Sequence, residues 1–401
     1  MIIKNARIYT ACDSVIEKGY IRIEKDIITE IGSTSELKIE NKNEVIINAE
    51  NSVLLPGFID AHSHLGMWTE GLGFEGDDGN EDTDPITPHL RAIDSINPLD
   101  ISFDEAVKNG VTTAFTGVGS GNPIGGSFCA ITTFGSKQID KLIIKENGAI
   151  KFALGENPKV TYNSREQTPT TRMAIAALIR ETLLKAQRYQ EDYNRYMEVL
   201  GTEDEIEPPE YDIKSEALLP VLKGEIQAHF HCHRADDIFT AIRIAKEFKL
   251  DYVLVHCTEA DLIVDELLEE IGTENVRIIL GPLISNRSKP ELVNASIETA
   301  KALAKNKIKF AICTDHPETP IQYLPLTAGV AIRGGLSQEK ALEAITINAA
   351  RAIKLEKQYG SLKVGKKADI VGFFGELSDA FNVVNTPSLV ISSGKVVVNK
   401  F

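Results

Sequence analysis

The feature that most limits the possible folds is an alternation of short apolar segments with amphipathic helical segments through the middle of the chain. This alternation is typical of a parallel sheet whose strands are connected by helices. Eight segments have the composition of strands, at residues 53–60, 111–116, 128–133, 150–154, 225–230, 252–255, 276–280 and 310–314. We therefore predict an α/β fold, a (β/α)8 TIM barrel. The third segment is the weakest, and residues 142–144 are an alternative to it.

Both ends of the chain carry β-rich segments that are too short to fold alone. At the start they are residues 2–3, 6–9, 20–23 and 45–47, and at the end residues 368–373, 389–391 and 395–398. Two such ends become stable if their strands pair. We therefore predict a small β-sandwich built from residues 1–54 and 359–401, with the barrel formed by residues 55–358.

Charge and cysteine content limit the partners and the location. The chain has 43 Lys and Arg against 58 Asp and Glu, a formal charge of −15. An acidic surface repels phosphate backbones and anionic lipids, so we expect a small-molecule substrate, with no nucleic acid and no membrane as partner. There is no apolar run long enough to span a bilayer. The five cysteines are scattered and odd in number, which favours reduced thiols in a cytoplasmic protein.

Histidines collect where the predicted strands end. His62 and His64 follow an apolar segment and are two residues apart, so their side chains share one face of a strand. Neutral imidazole is a common metal ligand, and two imidazoles supply half of a tetrahedral zinc shell. The pair predicts a metal site at the mouth of the barrel.

Other metal-ligand residue types occupy equivalent positions on later strands. The fifth segment carries His229, His231 and His233, the sixth ends in His256, and the eighth ends in Asp315 and His316. The C-terminal ends of barrel strands meet at one mouth, so one metal site accounts for all these positions together.

These motifs together resemble the metal-dependent amidohydrolase superfamily. The resemblance is carried by Pro-Gly-Phe-Ile-Asp-Ala-His-Ser-His at residues 56–64, by the histidines of segments five and six, by Thr-Asp-His at 314–316, and by the tail at 344–352 and 360–371. The sequence is most similar to the imidazolonepropionase-like branch, which also contains dipeptidases. The resemblance implies a barrel with a β-sandwich from both termini, and it leaves a homo-oligomer open.

Carried over residue by residue, the resemblance implies metal ligands at His62, His64, His231, His256 and Asp315. His231 matches the strand-five ligand best, although His233 is an alternative for that role. His233 would otherwise face the substrate or support a ligand, and His229 would be packed more deeply. Zinc is the expected ion, with manganese, iron or cobalt as alternatives.

The family often has a strand-four ligand that bridges two metal ions, either a glutamate or a carboxylated lysine. We favour Glu156 because a carboxylate can bridge two cations directly. The alternatives are Lys151 within the strand, Lys159 in the loop, and a Glu156 that only caps a helix or forms a salt bridge. The site would hold two ions if Glu156 bridges, and otherwise one.

The resemblance implies an enzyme that cleaves a small amide or cyclic amide by attack of metal-bound hydroxide. Asp315 would accept the water proton and return it to the leaving nitrogen. His256 or His233 would help to stabilise the oxyanion. Arg234 is the candidate clamp for a substrate carboxylate, and His316 is a second candidate substrate contact. Deamination of a heterocyclic amine and a non-catalytic protein of the same fold are the alternatives.

Overall fold

A computed structural model describes residues 1–39 and 43–401, and its strands form two sheets. The strands in chain order are β1 Ile2–Ile8, β2 Ile16–Glu24, β3 Ile27–Ser33, β4 Ile46–Asn48, β5 Ser52–Pro56, β6 Phe58–Ser63, β7 Val111–Gly117, β8 Ile124–Thr132, β9 Ile143–Ala153, β10 Gln227–Cys232, β11 Tyr252–His256, β12 Ile278–Leu280, β13 Phe310–Ile312, β14 Ile370–Phe374, β15 Leu389–Ser392 and β16 Lys395–Asn399.

Ten α-helices occur among the described residues, and most of them lie between consecutive strands of the β6–β13 segment. They are α1 Ile101–Lys108, α2 Glu156–Asn163, α3 Arg172–Val199, α4 Ile213–Leu222, α5 Ala235–Glu247, α6 Val264–Ile271, α7 Thr299–Lys305, α8 Leu324–Arg333, α9 Gln338–Ala344 and α10 Ile347–Ala352. None of these helices has the combination of length and apolarity that a membrane crossing requires.

Strands β6 to β13 form one eight-stranded sheet in chain order. Backbone hydrogen bonds also join its first and last strands, because Asp315 N donates to His62 O at 3.2 Å and His64 N donates to His316 O at 2.9 Å. The sheet is therefore a nearly closed barrel, which confirms the predicted eight strands. The strands are lined almost throughout by buried residues, so the barrel is a packed core.

One strand of the barrel departs from the regular pattern. β8 runs antiparallel to both β7 and β9, whereas the prediction had a parallel strand here. Only residues 118–123 separate β7 from β8, and a parallel crossover needs about a dozen residues or more. The chain therefore turns back as a hairpin. Ile143 and Ile144, part of the segment weighed as an alternative strand, lie at the start of β9.

The other sheet contains strands from both ends of the chain, in the order β16-β15-β14-β5-β1-β2-β3, with β4 paired to β1. β5 and β14 join the two ends through an antiparallel register that pairs Leu54 with Gly372. This sheet has its own apolar cluster, which includes Ile8, Ile21 and Ile391. The predicted pairing of the two ends is therefore confirmed. The strands form one connected sheet. The β-sandwich, which requires a second sheet facing this one, stays a prediction, and so do the exact domain bounds.

The predicted first barrel segment, 53–60, is in fact two strands, one in each sheet. β5 belongs to the terminal sheet, β6 belongs to the barrel, and Gly57 lies between them. Gly57 N donates to Asp369 O at 2.8 Å. A Cβ atom at Gly57 would lie 2.9 Å from Asp369 Cβ and 3.0 Å from Thr112 Cγ2. The two sheets are thus in contact around a position that accommodates only a residue without a side chain.

We expect Gly57→Ala to lower the free energy of unfolding by about 1–3 kcal/mol, the usual effect of overpacking. Urea denaturation of the metal-free protein measures this change. Gly32→Ala is the control, because the nearest atom to a Cβ there is Glu36 Oε2 at an ordinary 3.4 Å. Similar losses of stability in both variants would contradict the steric explanation.

Candidate metal centre

Six of the predicted site residues meet at the C-terminal mouth of the barrel. His62 lies in β6 and His64 follows it, His231 lies in β10 and His233 follows it, His256 ends β11, and Asp315 follows β13. All five of these histidines are buried. The parallel register aligns His231 with Val255 and Cys232 with His256, which brings the ends of β10 and β11 together.

One group of donor atoms consists of His62, His256 and Asp315, whose ligand atoms lie within 4.8 Å of one another. Asp315 Oδ1 is 3.6 Å from His62 Nε2 and 3.2 Å from His64 Nε2. Two nitrogen ligands of one tetrahedral zinc ion, each at about 2.1 Å, are about 3.4 Å apart. These donor atoms are thus spaced to share one cation.

A second group consists of His231, His233 and His256, again within 4.8 Å. The rings of His233 and His256 stack with centroids 4.6 Å apart, and His231 meets His256 edge to face at 4.5 Å. His256 is common to both groups. Because His231 and His233 both belong to the second group, the geometry does not separate them as alternatives for the strand-five ligand.

Backbone carbonyls fix which ring nitrogen faces the cluster. His64 Nδ1 is 2.6 Å from Gly117 O, and His256 Nδ1 is 2.7 Å from Gly281 O. A carbonyl only accepts, so in the neutral ring Nδ1 carries the proton and Nε2 carries the lone pair. His256 Nε2 is buried and has no hydrogen-bond partner among the described residues. A cation would satisfy this lone pair, so the residues present fit a divalent metal ion.

The protonation states also suit metal binding. Burial lowers the pKa of His62, His231 and His256 well below the ordinary value. Burial also lowers the pKa of His233 to about 4, with Glu291 raising it and Lys289 lowering it. These imidazoles are therefore neutral at pH 7, the form that binds metals.

Asp315 is ionised in the same surroundings. Burial alone would raise the pKa of its carboxyl group, but His256, His64 and Lys151 lower it, and the net shift is downward. Asp315 and His256 both adopt left-handed backbone conformations, with φ of 54° and 76°. For residues other than glycine this costs about 1–3 kcal/mol each, and such strain is concentrated at functional sites.

Lys151 is the strand-four residue that faces the cluster. It lies within β9 and is completely buried, and its Nζ is 2.8 Å from His62 Nε2. Burial lowers the pKa of Lys151 to about 8. The side-chain amine of Lys151, on the fourth barrel strand β9, therefore lies next to the donor group of His62, His256 and Asp315.

Glu156, which the sequence favoured as the bridging ligand, is not brought into either donor group. It is the first residue of α2, where its Oε2 accepts from Glu291 N at 3.2 Å and its own N donates to Glu291 Oε2 at 2.9 Å. Strand alternation explains this position, because Lys151 lies inside the strand and points inwards, whereas Glu156 lies beyond it. At this helix end the Glu156 carboxylate binds the backbone N–H of Glu291, but it does not cap α2, whose N-cap residue is Gly155.

Glu291 is a site residue that sequence reasoning missed. It lies in a short 3-10 turn, Pro290–Leu292, and is buried. Its Oε1 is 3.8 Å from His231 Nε2 and 3.7 Å from His233 Nε2. This Oε1 atom has no hydrogen-bond partner among the described residues. No periodic pattern surrounds Glu291 in the sequence, so nothing distinguished it from a surface glutamate. It is a further donor close to the second group.

Asp60 was also missed, although it lies two residues before His62. Its carboxylate accepts from His62 N at 3.2 Å and from the hydroxyl of Thr314, the residue before Asp315. Burial raises the pKa of Asp60 to about 7. Asp60 therefore connects the first and last barrel strands directly behind the candidate ligands.

Three other predicted histidine and arginine positions lie away from the donor groups. His229 is packed below them, with its ring 5.2 Å from that of Phe115. Arg234, the predicted carboxylate clamp, is half exposed, pairs with Asp236 at 2.8 Å and does not line the cavity described below. His316 is buried outside that cavity, and its Nδ1 accepts from Ile321 N at 3.3 Å. The structure thus places neither Arg234 nor His316 in the wall of that cavity.

A cavity of about 450 Å³ opens above the donor groups. His64, His231, His233 and Asp315 form part of its wall. Trp68, whose ring contacts that of His64 edge to face at 5.0 Å, supplies an apolar surface. Polar side chains complete the wall, among them Asn80, Ser120, Asn157, Thr258, Ser285, Ser288 and Lys289. The volume suits a small molecule held against the histidines and Asp315.

Comparisons with known proteins identify the family of the chain. A family model described as the amidohydrolase family matches residues 137–397. A solved crystal structure of an amidohydrolase from Thermotoga maritima MSB8 is 35% identical, with a TM-score of 0.91 and 99% of each chain covered.

Two relatives have similar sequences. An amidohydrolase named tasK from Hapsidospora irregularis is 27% identical over 369 residues, and the match covers 88% of this chain but 37% of that protein. The chain thus spans little more than a third of the length of that relative. An imidazolonepropionase from Brevibacillus brevis is 23% identical over 419 residues, with 96% of this chain and 91% of that protein covered.

Proposed function

From the premise that this chain belongs to the amidohydrolase family and is an enzyme that hydrolyses carbon–nitrogen bonds, we propose that it cleaves a small amide or cyclic amide at the histidine and aspartate cluster. One observation carries this proposal. Two groups of metal-ligand atoms share the buried His256, and His231, His233 and Asp315 of these groups line a cavity large enough for a small molecule.

The residues proposed to hold one divalent ion are His62, His64 and Asp315, and those proposed for a second ion are His231 and His256, with His233 and Glu291 close enough to contribute. A divalent ion lowers the pKa of a bound water towards neutrality and so supplies a nucleophile at pH 7. The set of imidazole and carboxylate donors suits zinc, while manganese, iron and cobalt are the alternatives.

Asp315 is the proposed proton carrier. Its carboxylate is ionised and lines the cavity, so it can take a proton from the attacking water and return it to the leaving nitrogen. His233 also lines the cavity and is proposed to stabilise the developing negative charge on the substrate oxygen. The lone pair of His256 Nε2 faces the cluster. His256 is proposed to assist the same step by holding an ion close to the substrate oxygen.

We propose Lys151, rather than Glu156, as the strand-four ligand. Its Nζ already contacts a proposed ligand, and it is buried within the barrel. The neutral amine reacts with carbon dioxide to form a carbamate and release a proton, which gives two oxygen donors at this position. The proximity of Lys151 to His62 supports this assignment.

A substrate screen of the metal-loaded enzyme tests the proposal. Dipeptides, N-acyl amino acids and cyclic amides are incubated with protein loaded with zinc, manganese or cobalt, and release of a new amine or carboxylate is measured. We expect hydrolysis of at least one of these classes, and loss of turnover after removal of the metal with a chelator. Release of ammonia from heterocyclic amines, with no amide cleaved, would contradict the proposal and favour the deaminase alternative.

The cytoplasmic location and the homo-oligomer stay predictions. All five cysteines are free in the structure, with Cys12 exposed and the other four buried. Cell fractionation and light scattering of the purified protein are the measurements that check these two predictions.

A further inference from the structure

Lys289 is the one lysine or arginine among the described residues that line the cavity above the donor groups. Three carboxylates, those of Glu156, Asp315 and Glu318, also line this cavity. Each of these carboxylates disfavours a negatively charged substrate group close to it. The region around Lys289 is therefore the part of the cavity where such a group is electrostatically favoured.

The backbone and two polar side chains hold Lys289 in place. It precedes Pro290 and has the extended conformation expected before a proline, with φ −120° and ψ 146°. Its Nζ donates to Asn157 Oδ1 at 2.9 Å, and Asn157 Nδ2 donates to Ser120 Oγ at 2.7 Å. The lysine ammonium is thus oriented by a neutral amide that is itself fixed.

The charge of Lys289 is not neutralised by an ion pair. Within the part of the chain that the structure describes, no carboxylate oxygen lies within 4.0 Å of its Nζ. In contrast, Arg234 pairs with Asp236 at 2.8 Å, and Arg172 pairs with Asp237 at 3.0 Å. Both arginines line a second, neighbouring depression, which also includes Lys159. Lys289 therefore retains two N–H donors for a ligand.

The position of Lys289 relative to the histidines limits where the ligand charge lies. Asn157 contacts both Lys289 and His231. Its Oδ1 accepts from Lys289 Nζ, and its Nδ2 is 3.4 Å from His231 Nε2. The two polar atoms of one amide group are about 2.2 Å apart, so Lys289 Nζ is less than about 9 Å from His231 Nε2. This span suits an anionic group only a few bonds from the atom that is attacked.

We infer that Lys289 binds a carboxylate of the substrate, and that the enzyme therefore prefers small amides that carry a carboxylate close to the scissile bond, such as N-acyl amino acids and dipeptides. This inference rests on the proposed function. It assigns the role of carboxylate clamp to Lys289 in place of Arg234, whose guanidinium lies outside the cavity.

Paired substrates test the inference. Each hydrolysed N-acetyl amino acid is compared with its C-terminal N-methylamide, which has the same scissile bond and no charge, and acetate release is measured. We expect Lys289→Met to raise KM for the carboxylate form by about 10- to 100-fold, the usual effect of losing a hydrogen bond to a charged group. KM for the neutral form should stay within about twofold, and Lys289→Arg should recover most of the lost affinity.

Lys159→Met is the matched control, because Lys159 is similarly half-buried and lies beside the neighbouring depression outside the cavity. It should leave both KM values unchanged. If wild-type enzyme cleaves both forms equally well, or if Lys289→Met impairs both forms equally, the inference is overturned and the proposed function stands. If metal-loaded wild-type enzyme cleaves no member of the substrate screen, the proposed function fails and this inference fails with it.

Discussion

Replacement of Asp315 by asparagine is expected to lower kcat by about two to four orders of magnitude, the usual contribution of general acid–base catalysis. Asparagine has nearly the same shape but cannot accept the water proton or return it to the leaving nitrogen. Steady-state kinetics on a substrate found in the screen measure the effect, and elemental analysis of the same samples measures the metal bound per chain.

We expect the Asp315→Asn protein to retain most of its metal, because the histidines at the mouth of the barrel remain. Asp140→Asn is the control, since Asp140 is exposed and lies outside the cavity. Wild-type turnover in Asp315→Asn would contradict the assignment of Asp315 as proton carrier. Loss of turnover together with the metal would instead assign Asp315 mainly to holding the ion.

Replacement of Lys151 by methionine is expected to reduce the bound metal from two ions to one. Methionine is similar in length and apolar, so it fills the buried position within β9 but offers no carbamate. We expect kcat/KM to fall about 100-fold or more, because each bound ion supplies several kcal/mol of charge stabilisation in the transition state. Elemental analysis and kinetics of the same preparation measure both effects.

Glu156→Gln provides the comparison that separates the two strand-four candidates. Glu156 interacts with the backbone of Glu291 at the start of α2, so its neutral analogue should keep two ions and change kcat/KM by only a few-fold. The opposite pattern, with metal lost in Glu156→Gln and kept in Lys151→Met, would support the bridging role first predicted for Glu156. Urea denaturation of both variants establishes that each remains folded.

Much of the site followed from local rules of side-chain direction. His62 and His64 are two residues apart, and the residues of a strand alternate between its faces, so a shared orientation was predictable from the sequence. His231, His256 and Asp315 came at the ends of apolar segments, and the ends of barrel strands meet by topology. The same reasoning predicted the eight barrel strands and the pairing of the two chain ends.

The antiparallel β8 was missed because strand direction is set by the length of the connection, and the boundaries of short apolar segments are uncertain by several residues. The break at Gly57 was missed for a similar reason, since an uninterrupted apolar run hides the passage from one sheet to the other. Both features concern how strands are arranged relative to one another, which residue composition does not specify.

The sequence by itself determined which residue types stand at the strand ends, and hence that imidazoles and an aspartate would gather at one mouth. Only the tertiary structure decided that Lys151 rather than Glu156 contacts them, that Glu291 lies beside His231, and that Lys289 rather than Arg234 enters the cavity. The physical reason is that strand alternation is local and periodic. The path of a loop instead depends on packing between segments more than a hundred residues apart, as for Glu156 and Glu291, which are separated by 135 residues.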